Sequence, residues 1–210
     1  MSTASIAANW SSAEIIGVDL SEEMLQKARE NITGVTFLQR DCSKPLFDMG
    51  TFDLIFSNAF LQWIPNQEEF ISNSFDMLVK AGMFAAQIPL FDEMPASSCI
   101  ASAERSLSDL FTGIAKPVSL SPSEYYEMMS KHTEKITMWV TDYYHEMDCP
   151  ENILDFLKGT ALHSYMDMLD EREQSEFLNV VLNNLKNSYA CQKNGKVLFP
   201  FKRLFLVGEK

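Results

Sequence analysis

Two aspartates, Asp19 and Asp41, stand where successive short strands give way to irregular chain, a position suited to accepting hydrogen bonds. The first closes a buried strand (Ile15, Ile16, Gly17, Val18) within the stretch EIIGVDLSEEMLQKARE, Glu14 to Glu30, which then runs into an amphipathic helix. Glu22 and Glu23 fall in that helix's first turn, where the macrodipole favours carboxylates. Leu25, Ala28 and Ile32 recur at helical spacing, and Glu23 is placed to pair with Lys27 at i+4. A strand, an acid at its C-terminal tip and a helix is how doubly wound α/β folds present an acceptor to the ribose hydroxyls of a nucleotide. On spacing alone Asp19 also suits a helix-entry acid, and Asp41, within Arg40-Asp41-Cys42, a turn cap.

Other chemistries lack their residues. His132, His145 and His163 show no metal-ligand spacing, and no Ser/His/Asp arrangement stands out. Cys42, Cys99, Cys149 and Cys191 form no CxxC pair, which predicts reduced, mostly buried thiols in a cytoplasmic protein. A formal net charge of −12 argues against nucleic acid or an anionic membrane as partner. No apolar run reaches membrane-spanning length, and the N-terminus lacks the regions of a signal peptide. The 210 residues, 46% of them hydrophobic, suffice for the core of one domain.

The elements that must position these residues alternate. Met1 to Trp10 fits the last turns of a helix, and Val35 to Gln39 a second strand leading to Asp41. Phe52 to Phe56 is a third strand, Gln67 to Lys80 a helix stopped by Gly82, and Met83 to Ile88 a fourth strand. That order predicts a parallel sheet covered by helices. Pro89 to Pro117 reads as mixed, with a helix around Ile100 to Leu110. Ser121-Pro122-Ser123-Glu124 and Asp170-x-x-Glu173 are helix starts. Ile136 to Tyr144 and Gly195 to Val207, the latter kinked at Pro200, are the last strands. The helical stretch between them, about 150–190, reads as a lid rather than a second domain. Residues 1–90 then form a partial nucleotide-binding half and 91–210 a substrate half.

The chain resembles class I S-adenosylmethionine-dependent methyltransferases, and more narrowly the trans-aconitate methyltransferases. The resemblance rests on IIGVDLSEEML, DLIFSNAFLQWIPN, QIP after the fourth strand, TDYYHEM and the terminal FPFKRLFLV. It implies a Rossmann-like fold with a mostly parallel sheet, an antiparallel C-terminal strand and a helical lid. It also implies S-adenosyl-L-methionine as cofactor: Asp19 on the ribose, Leu20 on adenine, and Asp41 on the adenine amine with Cys42 beside it. Asn58, Ala59, Gln62 and Trp63 are then expected along the methionine moiety and the methyl-transfer channel. The implied acceptor is a carboxylate of a small polycarboxylic acid, anchored by Arg203, His163, Tyr143, Tyr144 and His145. Tyr143 and Tyr144 alternate along a strand, so one of the two is expected in the pocket. Where the family often carries an arginine in a Leu-Arg-Pro segment, this chain has Leu162-His163-Ser164.

The family's glycine loop has no counterpart, because the eight glycines never come within a helical turn of one another. The family continues that loop with a Ser-Thr pair, and this chain begins Met1-Ser2-Thr3. The expectation is therefore an N-terminally truncated fold whose central first strand is missing, with two apolar strand edges left unpaired and open to homodimerisation. Two rival readings are a cofactor-free, methyltransferase-derived binding module and a nicotinamide dehydrogenase.

Overall fold

The computed structural model describes residues 2–111 and 116–210; Met1 and residues 112–115, the latter within the stretch expected to be mixed, lie outside the described residues. The first elements are α1 (Ser2–Asn9), β1 (Ile16–Asp19), α2 (Glu22–Asn31) and β2 (Thr36–Gln39). Ser21 caps α2 by accepting from the Met24 N–H, and the expected Glu23–Lys27 pair closes at 2.7 Å. Then come β3 (Phe52–Asn58), α3 (Gln67–Asp76), β4 (Leu78–Pro89), α4 (Pro95–Ser106) and α5 (Pro122–Ser130). The chain closes with β5 (Lys135–Met147), α6 (Pro150–Lys158), α7 (His163–Met166), α8 (Glu171–Ser188) and β6 (Val197–Glu209). Both expected capping boxes form, Ser121 with Glu124 and Asp170 with Glu173. Such caps each hold a helix start by about 1 kcal/mol.

The strands form two sheets, in line with the two unpaired strand edges expected from the sequence. β1 and β2 pair in parallel, while β3, β4, β6 and β5 form a separate four-stranded sheet in that order. β3 and β4 are parallel, and β6 runs antiparallel to both its neighbours, as expected of the C-terminal strand. β1 pairs only with β2 and β3 only with β4, so each shows one unpaired edge among the described residues. No described segment supplies the backbone donors and acceptors that would join them.

The helix expected over Gln67 to Lys80 ends at Asp76, and Leu78 already pairs with Phe52 as strand. Gly82 is therefore no helix cap. Between Leu78 and Met83 the β4 backbone bulges while β3 advances only from Phe52 to Leu54. The bulge is pinned by Lys210, whose carbonyl accepts from Ala81 and whose N–H donates to the Gly82 carbonyl. A Cβ on Gly82 would lie 2.9 Å from the Val79 carbonyl oxygen and 3.1 Å from that of Phe52. The helix near residue 100 likewise begins earlier, at Pro95, and ends at Ser106, with a 3-10 turn over Ser108–Leu110.

Two cores flank the larger sheet. The lid helices α6, α7 and α8 pack with α4 around Phe177, Val181 and Leu185, and Phe199 and Phe201 of β6 fill that core. The other holds Phe75 of α3 and Tyr125 and Met129 of α5 against Leu204 and Leu206 of β6. Neither core includes a residue of β1, α2 or β2, where Leu25 and Phe37 are buried locally. None of the described helices is long and apolar enough to cross a membrane.

Gly82→Ala is expected to lower stability by about 1–3 kcal/mol in denaturant unfolding, because backbone carbonyls on two strands must move. Gly159→Ala, whose Cβ meets nothing nearer than 3.8 Å at an ordinary φ, should be neutral or stabilising by up to about 1 kcal/mol.

Candidate functional site

A chamber lies beyond the C-terminal ends of β3 and β4, the end at which open α/β sheets bind ligands. β3 finishes at Asn58, and the chain turns sharply through Ala59, which adopts φ 51° and donates its N–H to the Gln87 carbonyl at 2.8 Å. A 3-10 turn, Leu61–Trp63, then buries Gln62 and leaves Trp63 half exposed. Ala59, Gln62 and Trp63 form one wall of a chamber of about 500 Å³. Phe156 and Gly159 at the end of α6 and His163 of α7 form the opposite wall, with Phe201 and Arg203 of β6 between.

Arg203 is the chamber's one permanent cation. Its Nη1 donates to Gln87 Oε1 at 2.7 Å, and its Cζ lies 4.7 Å from the Phe201 ring centroid and 5.7 Å from that of Tyr143. Contacts of this kind each hold a guanidinium by about 0.5–2 kcal/mol while leaving its remaining N–H groups to donate. Burial draws its pKa below the ordinary arginine value, with Tyr143 acting the other way, and the group stays charged at neutral pH. No carboxylate pairs with it among the described residues. A half-buried, aromatic-flanked arginine with an open fork has the geometry to accept a carboxylate.

Two polar atoms nearby are buried without a partner among the described residues: Gln62 Oε1, an acceptor in the chamber wall, and Gln87 Nε2, a donor beside Arg203. Gln62 Nε2 is already spent on the Ala59 carbonyl at 2.9 Å. Leaving such groups unsatisfied costs on the order of 1–3 kcal/mol each, which a polar ligand would relieve.

Asp19 and Asp41 are not among the residues that line this chamber. Asp19 ends β1 and accepts from the Ser21 N–H at 2.9 Å through Oδ1. Asp41 follows β2; its Oδ1 accepts from the Ser43 N–H and hydroxyl, and its Oδ2 faces Lys44 at 3.2 Å. The Ser43 hydroxyl and amide, more than Lys44, hold the Asp41 carboxyl below its usual range. Cys42 lies buried between the two acids. Its thiol is pushed up to about 11, first by burial and then by the negative charges of Asp19 and Asp41. Leu20, next to Asp19, is 66% exposed. Asn58, at the end of β3, donates to the Ser2 hydroxyl at the start of α1 at 2.6 Å.

Of the residues singled out in the sequence, the chamber gathers Ala59, Gln62, Trp63, His163 and Arg203. Tyr143 touches Arg203 but does not line the space, and His145 lies further along the same strand face, against Phe199 and Phe201. Tyr144, opposite Pro200, points to the other face and leaves the set, as strand alternation requires. Sequence reasoning missed Gln87, Phe156 and Phe201. Only Gln87 carried a signal, as the polar residue in an otherwise apolar strand.

Known methyltransferases resemble this chain in sequence and in fold. A family profile described as a methyltransferase domain matches residues 2–86. Trans-aconitate 2-methyltransferase of Afipia carboxidovorans is 31% identical over 210 residues, covering 98% of this chain and 82% of the relative. The Enterobacter sp. (strain 638) protein of the same name is 31% identical, covering 100% and 82%. A solved Bacillus halodurans structure carrying a methyltransferase designation superposes over 100% of this chain and 89% of its own, with TM-score 0.62 at 14% identity. Haemonchus contortus phosphoethanolamine N-methyltransferase 2, solved with S-adenosylhomocysteine, covers 99% of this chain and 46% of its own, with TM-score 0.56 at 16% identity.

Iodoacetamide at about pH 8 should alkylate exposed Cys191 and spare Cys42 in the native protein, as read by peptide mass spectrometry. Asp19→Asn lowers the Cys42 pKa and should speed its alkylation, by less than about tenfold because burial contributes most.

Proposed function

The chain belongs to the class I S-adenosylmethionine-dependent methyltransferases, and from that premise we propose that it methylates a carboxylate oxygen of a small organic acid. The observation that carries this reading is Arg203, an aromatic-flanked cation with no carboxylate paired to it among the described residues, facing the turn after β3 across a chamber sized for a small molecule. On this reading the residues present fit the cofactor. Asp19 has one carboxylate oxygen free for ribose hydroxyls, Leu20 offers apolar surface to adenine, and Asp41, with Cys42 beside it, offers a carboxylate to the adenine amine. Asn58, Ala59, Gln62 and Trp63 would follow the methionine portion, with the orphan Gln62 Oε1 an acceptor for its ammonium. When bound, S-adenosylmethionine supplies an electrophilic methyl group on a sulfonium sulfur.

The chain's own work is placement. A carboxylate is already ionised at neutral pH, so no residue need act as general base. Arg203 seats the acceptor through paired N–H donors, Gln87 and the Phe201 and Tyr143 rings fix the guanidinium, and His163 stands at the mouth. Trp63, Phe156 and Phe201 exclude water from the acceptor oxygen.

The unpaired edges of β1 and β3 favour a second reading, in which the domain carries no cofactor and dimerises through strand pairing.

Calorimetric titration with S-adenosylhomocysteine should give saturable binding that Asp19→Ala weakens by about tenfold or more, the loss expected for hydrogen bonds to a charged group. Asp41→Asn should weaken it less, because Ser43 already takes most of that carboxylate. Absent heat together with a dimer mass in sedimentation would favour the second reading.

A further inference from the structure

We infer that the acceptor seated on Arg203 carries a single carboxylate on an apolar body, rather than the two or three carboxylates of a polycarboxylic acid. This rests on the methyltransferase reading of the same chamber and narrows its substrate class.

Four titratable side chains line the chamber: Arg203, His163, Asp92 and Asp167. His163 Nδ1 is already 3.2 Å from Asp167 Oδ2, so its charge, when present, is spoken for. Asp92 accepts only from the Ser97 hydroxyl, at 3.4 Å, and has no cation beside it among the described residues. Lys202, adjacent in sequence, alternates to the other strand face and pairs with Glu93 at 2.7 Å. With His163 and Asp167 paired to each other, the chamber is left with one available cation, Arg203, and one carboxylate without a basic partner among the described residues, Asp92. One acceptor carboxylate fills the open fork of Arg203. A second or third would meet no further cation and would lie near Asp92, where like charge opposes it.

The rest of the wall supports the same conclusion. Trp63, Phe91, Phe156 and Phe201 offer four aromatic surfaces, and Pro89 and Ala161 fill between them. An apolar body gains by leaving water against such a wall, whereas extra carboxylates lose their hydration there without compensating donors. The chain's net charge of −12 adds no long-range attraction for a multiply charged anion.

The test is calorimetric titration of the full chain, loaded with S-adenosylhomocysteine, with 3-phenylpropionate and separately with trans-aconitate at about pH 8 in physiological salt. The expected result is 3-phenylpropionate binding at least about tenfold more tightly, with that affinity falling about tenfold in Arg203→Gln. If Arg203→Gln melts early, Arg203→Lys keeps the charge but loses the fork and should still weaken binding about threefold or more. Asp92→Asn combined with Asp167→Asn should raise trans-aconitate affinity by about threefold or more. Tighter binding of trans-aconitate, or binding of neither acid while S-adenosylhomocysteine binds, overturns the inference and leaves the methyltransferase reading standing. Failure of S-adenosylhomocysteine to bind counts against that reading instead, and the same two titrations on the unloaded chain then decide the inference.

Discussion

Strict two-residue alternation along β6 is the constraint from which the site follows. Val197, Phe199 and Phe201 send their side chains into the lid core, while Leu204 and Leu206, of opposite parity, enter the core under α3 and α5. Arg203 shares the parity of Phe199 and Phe201 but lies one step past the last of them. It therefore emerges on the lid face where apolar packing stops and a chamber begins. A slip of one residue would bury the guanidinium under α3 and expose both phenylalanines, so register and site are one specification. Antiparallel pairing to β4 and β5 on both sides locks that register.

The smaller sheet is held differently. β1, α2 and β2 contribute nothing to either core. Local chemistry keeps it in shape: Ser21 caps α2, Asp41 gathers Ser43 and Lys44, and Arg29 reaches the Phe37 carbonyl. Regions with few buried apolar contacts open at low free-energy cost. On the proposed reading, a ligand touching both Asp19 and the chamber would bridge the two sheets and tighten their relation.

Much of this was legible in the sequence where a local rule decides the outcome. The capping boxes at Ser121 and Asp170, the Glu23–Lys27 pair and the acid at the tip of β1 all depend on neighbours within four residues. The end of α3 was not legible, because Leu78 to Lys80 continue a helical pattern. Pairing to Phe52 and the clasp on Lys210, remote in sequence, override it. The same limit hid Gln87 and Phe156. Gln87 matters because Arg203 lies across from it, and Phe156 because α6 folds back over Phe199 and Phe201. Tyr144 was separable from Tyr143 by alternation alone, but which of them meets Arg203 needed the β5–β6 register.

The account stands on Arg203 being an open receptor for an acceptor carboxylate. A crystal structure of the chain with S-adenosylhomocysteine and 3-phenylpropionate tests it most directly. The account predicts both carboxylate oxygens on the Arg203 guanidinium, the aromatic ring among Phe91, Phe156 and Phe201, and the ligand sulfur directed at the carboxylate from the side of Ala59. Arg203 turned onto Asp92 or Asp167, with the acid bound elsewhere, would contradict it.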